Sequence, residues 1–306
     1  IHTLSNSPFN KVRMCVFPKS MVYNSNEPEL FPFEKSSEGK WDVNQPNFKF
    51  WQHLERQLKA LLDLGIETDL ILFHPYDRWG FADLSREDSL TYLDYCVRRL
   101  SAFRNIWWSL ANEYELLFGK NEDDWEAFGE FISSEDTYHH LISNHNWLKL
   151  YDASKSWITH CSIQTNQYEK TKQLRDEYKK PVIIDECGYE GDIEYKWGNL
   201  SGFELIHRFW SVMLLGGYCT HGETFHRDDE ILWWAKGGEL YGESVKRISF
   251  LKEIMYGLEG EIQPDQSEFI NPNNAISTEE EFLDAKYKNN PYVKVIRSLN
   301  PAELYH

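Results

Sequence analysis

What the sequence lacks narrows the field first. It holds no apolar run long enough to cross a bilayer, and no secretory signal is visible at its start, which opens at Ile1 without a methionine. It holds no Cys-x-x-Cys pair: Cys15, Cys96, Cys161, Cys187 and Cys219 are scattered, mostly in apolar runs. That pattern speaks against a zinc or disulfide framework and for buried, reduced thiols in a cytoplasmic protein. No Gly-x-Gly-x-x-Gly or P-loop signature follows any strand-like run, and no His-Glu-x-x-His occurs, so no cofactor and no metal is expected. Basic residues are scarce, 32 Lys and Arg against 49 Asp and Glu, and the formal charge of −17 disfavours nucleic acid and anionic membranes as partners. Oligomeric state is left open.

Large rings, by contrast, are abundant: 12 Trp, 17 Tyr and 18 Phe. Sugars bind by laying their apolar C–H faces on aromatic rings, so the excess fits carbohydrate as a partner, and equally a Trp-rich core. The length, 306 residues, suits one α/β barrel of about 250 residues or two small domains.

Along the chain, short apolar runs alternate with helical patterns. Strands are expected at 12–17, 68–73, 105–110, 141–144, 158–163, 182–185 and 218–220. Helices are expected at 47–64, with Phe50, Leu54, Leu58, Leu61 and Leu62 on one face and Gly65 as its stop, and from Ser85 to about Phe103, opened by a Ser-Arg-Glu-Asp box. Further helices are expected at 124–132, briefly after 144, and at 169–178, 203–215 and 242–256. Strands alternating with helices imply βαβ units and a parallel sheet. With nucleotide-binding versions of that sheet disfavoured, a (β/α)8 TIM barrel remains, covering residues 1–259. Residues 260–306 read as a C-terminal extension or the start of another module. Only seven strands are counted, so the barrel is expected to lack strand 1 at the N-terminus of this chain, unless 292–296 fills the gap.

Barrel chemistry sits at the C-terminal ends of the strands. Those ends carry His74, Tyr76 and Asp77, then Asn112 and Glu113, His145, Gln164, Glu186, and His221 with Glu223. Hydrolysis of a glycosidic bond needs two carboxyl groups flanking the anomeric carbon. Glu113 and Glu186 each follow a very apolar strand, where a carboxylate is costly unless paired or functional. A strand-end Glu can also cap a helix or bridge to an Arg.

The run Trp107-Trp-Ser-Leu-Ala-Asn-Glu113 resembles the Asn-Glu motif ending strand 4 in clan A glycoside hydrolases. Pro181-Val-Ile-Ile-Asp-Glu186 resembles their strand 7 segment, and Val12-Arg13-Met14 their strand 2 segment. The resemblance implies Glu113 as acid/base, Asn112 on a sugar hydroxyl, Glu186 as nucleophile and Arg13 keeping Glu186 ionised, in a retaining double displacement. Residues 9–19, 73–77, 189–191 and 232–239 look like a bacterial family of glycosidases whose members place a β-sandwich before the barrel and a further domain after it. That resemblance covers about residues 7–258 and implies a reaction type, on plant- or microbe-derived oligosaccharides, more than a particular sugar.

The remaining strand-end residues are candidates for substrate binding. His74, Tyr76 and Asp77 could hold the −1 sugar, although His-Pro-Tyr-Asp is also turn chemistry. His145 could orient a carboxylate. Gln164 and Tyr189 could hydrogen-bond substrate or nucleophile, and His221 and Glu223 end the last strand. Of Trp233 and Trp234, at most one is expected to stack on sugar. Cys187 reads as packing. Two rivals stand beside this reading: a non-catalytic carbohydrate-binding barrel, and a metal-dependent sugar isomerase or lyase using His139, His140, His160, His221 or His226.

Overall fold

The computed structural model describes residues 1–229, 232–258 and 264. The chain divides into two compact units, Ile1–Gln164 and the residues from Thr165 onward. The expected extension at 260–306 and the strand at 292–296 lie outside the described residues, apart from Pro264.

The first unit is built on a parallel sheet in the order Lys11–Cys15, Glu67–Phe73, Ile106–Ala111, Ile142–Ser143. Each neighbouring pair is parallel and in register: Arg13 lies opposite Asp69, Asp69 opposite Trp107, and Ser109 opposite Ser143. Helices Phe48–Asp63, Arg86–Leu100 and Glu122–Glu135 make the crossovers, as parallel pairing requires. The first starts where Asn47 accepts from Lys49 N–H, and Gly65 ends it at φ +70°, a conformation that costs glycine little. Its buried face is Trp51, Leu54, Leu58 and Leu61; Phe50 and Leu62, expected there, are only half-buried. Trp51 takes the place because its ring N–H finds the Pro32 carbonyl at 2.8 Å.

The Ser85 box forms by half. Ser85 Oγ accepts from Asp88 N–H, but the Asp88 carboxylate takes the Ser85 hydroxyl rather than its N–H. The helix stops at Leu100, short of the expected Phe103. A complete Asn121/Asp124 box starts the next helix at Glu122. No helix forms between 144 and 160; that stretch is turn and coil. A hairpin of Phe33–Lys35 and Trp41–Pro46, which the sequence reading passed over, turns through Gly39 at φ +79°.

Many of the rings turn out to be core. Phe17 stacks on Phe81 at 4.6 Å and Tyr92 at 4.5 Å, and Trp41 on Phe81 at 4.7 Å. Trp51, Trp108 and Trp125 are buried completely or nearly so.

In the second unit, strands Val182–Glu186 and Tyr218–Cys219 pair in parallel, joined through helix Gly202–Leu214, which a Ser201/Glu204 capping box opens. Helix Thr171–Tyr178 precedes them and helix Ser244–Gly257 follows. A second small parallel pair, Glu190–Gly191 with Glu223–Thr224, joins the two segments that leave the strand ends. Among the described residues, no helix is long and apolar enough to cross a membrane.

Candidate active site

Glu113 leaves the Ile106–Ala111 strand with φ 51° and ψ 58°, a left-handed conformation that side chains other than glycine adopt at a cost. The neighbours hold it there. Asn112 N–H donates to Phe73 C=O at 2.9 Å, His145 N–H to Ala111 C=O at 3.1 Å, and Tyr114 N–H to His145 C=O at 3.0 Å. Glu113 N–H points at His145 Nδ1, 3.4 Å away. Asn112 and Glu113 are buried, and the Tyr76 hydroxyl donates to Glu113 Oε2. The Lys19 ammonium lies over the Tyr76 ring at 4.8 Å. The structure thus brings Tyr76, Asn112, Glu113 and His145 together.

His74 lies beside them, its ring 6.4 Å from that of Tyr76. Its Nε2–H donates to the Phe17 carbonyl at 3.1 Å, and burial pushes its pKa down to about 4, so it is a neutral imidazole. Asp77 serves its own loop: its two oxygens accept from Trp79 and Ala82 N–H, each at 2.7 Å. Glu115, which the sequence reading passed over, does the same on a larger scale. Its carboxylate gathers the N–H groups of Trp147, Leu148 and Lys149, all at 2.6 Å.

Arg13 is anchored by Asp69. Its Nε lies 3.2 Å from Asp69 Oδ2, which also meets Lys11 Nζ at 3.4 Å, and Asp69 is fully buried. The register that pairs residues 13 and 69 predicts this contact, and an Asp inside the apolar run Thr-Asp-Leu-Ile-Leu-Phe was the available signal. Gln164 is fixed by its backbone, which exchanges two hydrogen bonds of 3.1 Å with the Asn146 side chain. The Asn144 carboxamide is buried and has no hydrogen-bond partner among the described residues.

In the second unit Glu186 ends its strand half-buried, and its carbonyl accepts from Thr165 N–H at 3.0 Å. Asp185, buried before it, accepts from the Thr220 hydroxyl at 2.8 Å. Behind it, Cys187 Sγ lies 3.5 Å from Cys219 Sγ, and the Cys187 carbonyl accepts from Arg208 Nη1. Tyr189 is buried, with its ring edge against Trp197.

His221 and Glu223 meet Glu190, a residue the sequence reading left unassigned. One ligand atom of each lies within 4.8 Å of the others, and His221 Nε2 is 3.7 Å from Glu223 Oε1. The carboxylates are already occupied. Glu190 accepts from Glu243 N–H, Ser244 N–H and the Ser244 hydroxyl; Glu223 accepts from Tyr241 and Gly242 N–H. Burial raises the Glu223 pKa against those two donors, and drives His221 down to about 3. The two carboxylates clasp the chain at 241–244 to the strand end. Glu190 also places negative charge at the start of helix Ser244–Gly257, where the helix dipole favours it. Trp233 and Trp234 share a short helix, Trp233–Lys236, and Trp234 meets Trp197 at 5.2 Å.

Of the other histidines named for a metal, His140 bonds Asp136 and the Phe103 carbonyl, and His160 bonds Thr159. Among the described residues, the Glu190 trio is the one group of three candidate ligands.

Solved structures similar to this chain include glycoside hydrolases. A candidate glycoside hydrolase of Bacteroides vulgatus is 42% identical, with a TM-score of 0.81 over 84% of this chain and 54% of its own. A family 5 glycoside hydrolase of the same organism gives 0.60 at 15% identity, over 83% and 63% of the two chains. The endo-β-1,4-mannanase of Thermotoga petrophila gives 0.53 at 15%, over 90% and 76%. The chain therefore spans little more than half of the first relative and under two thirds of the second. The last two likenesses define the fold as the TIM-barrel class. No curated protein matches the chain. Residues 5–259 match the model of the Apiosidase-like catalytic domain, and the chain belongs to that family.

Proposed function

We propose that this chain is the catalytic domain of a retaining glycosidase acting on plant- or microbe-derived oligosaccharides. The observation that carries the reading is Glu113. It is a buried carboxyl at a barrel strand end, on a left-handed backbone, with the Tyr76 hydroxyl on one oxygen and His145 beneath its N–H. Such a costly arrangement fits a group fixed for chemistry rather than for packing.

In this reading Glu186 attacks the anomeric carbon as the glycosidic bond breaks, and Glu113 gives its proton to the departing oxygen. In the second step Glu113 takes a proton from water, whose oxygen displaces Glu186, restoring both groups and the anomeric configuration. Arg13, oriented by Asp69, serves substrate binding from its strand. Asn112, Gln164, Tyr189 and one of Trp233 and Trp234 contact sugar. The family description makes apiosides the first substrates to try. The same reading carries the β-sandwich-before, domain-after layout and a cytoplasmic location.

The test is a panel of aryl glycosides and plant oligosaccharides, apiosides included, run beside Glu186→Gln, with the product anomer followed by proton NMR. Turnover with retained configuration, lost roughly 10³-fold or more in the variant, is expected. Equal activity in the variant, or inverted product, overturns the mechanism. Sugar binding without turnover returns the chain to the binding-barrel rival.

A further inference from the structure

Tyr195 and Trp197 have no part in the carboxylate chemistry, yet they are placed with care. Their rings are nearly parallel, 8° apart, with centroids at 5.7 Å. Trp234, arriving on a different segment, meets Trp197 at 5.2 Å and 45°. Tyr189 supports Trp197 from beneath, edge-on at 5.9 Å and 89°. Tyr195 is 40% exposed and Trp197 half-buried. Core rings would be covered.

The backbone beneath these rings is fixed from several sides. Trp197 C=O accepts from Tyr189 N–H at 2.7 Å, and Leu200 N–H returns to Tyr189 C=O at 3.0 Å. Gly198 C=O accepts from the Thr224 hydroxyl at 2.7 Å, and the Asp192 carboxylate from His226 N–H at 2.6 Å. A Cβ on Gly191 would stand 2.3 Å from Thr224 Oγ1, and one on Gly198 2.5 Å from Ile193 Cδ1. The segments fit too closely to slide, so little ordering remains to be done when a ligand arrives.

We propose that Tyr195 and Trp197 form a stacking platform for a sugar residue of the substrate other than the one being cleaved. The identity of the ligand as carbohydrate rests on the glycosidase reading. The platform itself rests on the rings. Flat apolar faces match the C–H face of a sugar ring, and the exposed Asp192, Glu194 and Lys196 beside them offer partners for hydroxyls. A stable protein interface needs about 800 Å² per partner, far more than two partly covered rings present.

The experiment uses the intact chain carrying Glu186→Gln. Short xylo-, manno- and arabino-oligosaccharides and their monosaccharides are titrated by calorimetry and tryptophan fluorescence, with Tyr195→Ala or Trp197→Ala added. Tyr195 is exposed, so its removal leaves the fold least disturbed. Oligosaccharide affinity is expected to fall roughly tenfold or more, with a smaller effect on the monosaccharide. With Glu186 intact, kcat/KM should fall through KM when either ring is removed, and more for oligosaccharides than for aryl monoglycosides. Equal losses on short and long ligands, no loss, or no saccharide binding at all overturns the proposal. So does self-association in sedimentation that Trp197→Ala abolishes. Ring-dependent oligosaccharide binding without turnover keeps the platform and removes the glycosidase reading. Turnover indifferent to both rings does the reverse.

Discussion

The Tyr76 hydroxyl donates a hydrogen bond to the Glu113 carboxylate, across a separation of 37 residues. The bond joins the segment after one strand to the end of the next. Tyr76→Phe removes the donor and keeps the ring under Lys19. We expect kcat to fall roughly 10- to 100-fold with a smaller change in KM, whereas Glu113→Gln should cost about 10²- to 10⁴-fold. Steady-state kinetics on an activated and an unactivated glycoside check both. The Glu113 variant should lose least on the substrate whose leaving group needs no proton.

Gly242 sits between two buried carboxylates. A Cβ there would lie 2.2 Å from Glu190 Oε2 and 2.6 Å from Glu223 Oε1. Gly242→Ala forces the clasp open and is expected to cost about 1–3 kcal/mol. Urea denaturation should show a lower midpoint at an unchanged slope.

Glu190→Gln replaces a charged acceptor of three donors with a neutral one. Charge-assisted hydrogen bonds are each worth more than neutral ones, and the start of helix Ser244–Gly257 loses its negative partner. A loss of about 2–4 kcal/mol is expected. Hydrogen exchange should quicken first at Glu243 and Ser244. Unchanged exchange there would show that the clasp does not hold the helix.

Two buried histidines make the fold sensitive to acid. His74 and His221 have pKa values driven by burial from 6.5 to about 4 and about 3. Both lie below the unfolded value, so the unfolded chain binds more protons between. Stability is full above about pH 6.5 and declines as pH falls towards 4 and then 3. By the lower end of its range His74 alone withdraws about 3 kcal/mol. Glu223, whose pKa burial raises, acts in the opposite sense. Thermal midpoints should fall between pH 6.5 and 4. His74→Gln, which keeps a donor for the Phe17 carbonyl, should make that fall shallower.

Much of this was legible in the sequence because it is local. Apolar runs and caps marked the strands that end in Glu113 and Glu186. Gly65 marked a helix end, and the spacing of Leu54, Leu58 and Leu61 a buried face. Other features depend on the packing of distant segments. Trp51 displaced Phe50 because a carbonyl nineteen residues earlier met its ring nitrogen. The hairpin around Gly39 was hidden because its strands are short and polar. Asp77, Glu115, Glu190 and Glu223 look alike in sequence, as acids at strand ends. Only the structure shows that each collects backbone N–H groups from its own or a distant loop.

The sequence by itself determined the alternation of strands and helices, and with it which residues stand at strand ends. Those follow from periodicity, capping and the cost of a carboxylate after an apolar run. Tertiary structure decided which of those residues are spent on holding loops and which are left to act. It turned Asp69 towards Arg13, set Tyr76 on Glu113, and closed Glu190 and Glu223 around the chain at 241–244. Hydrogen-bond partners far apart in the chain are fixed by strand register and loop closure, and neither is written in the spacing of residues.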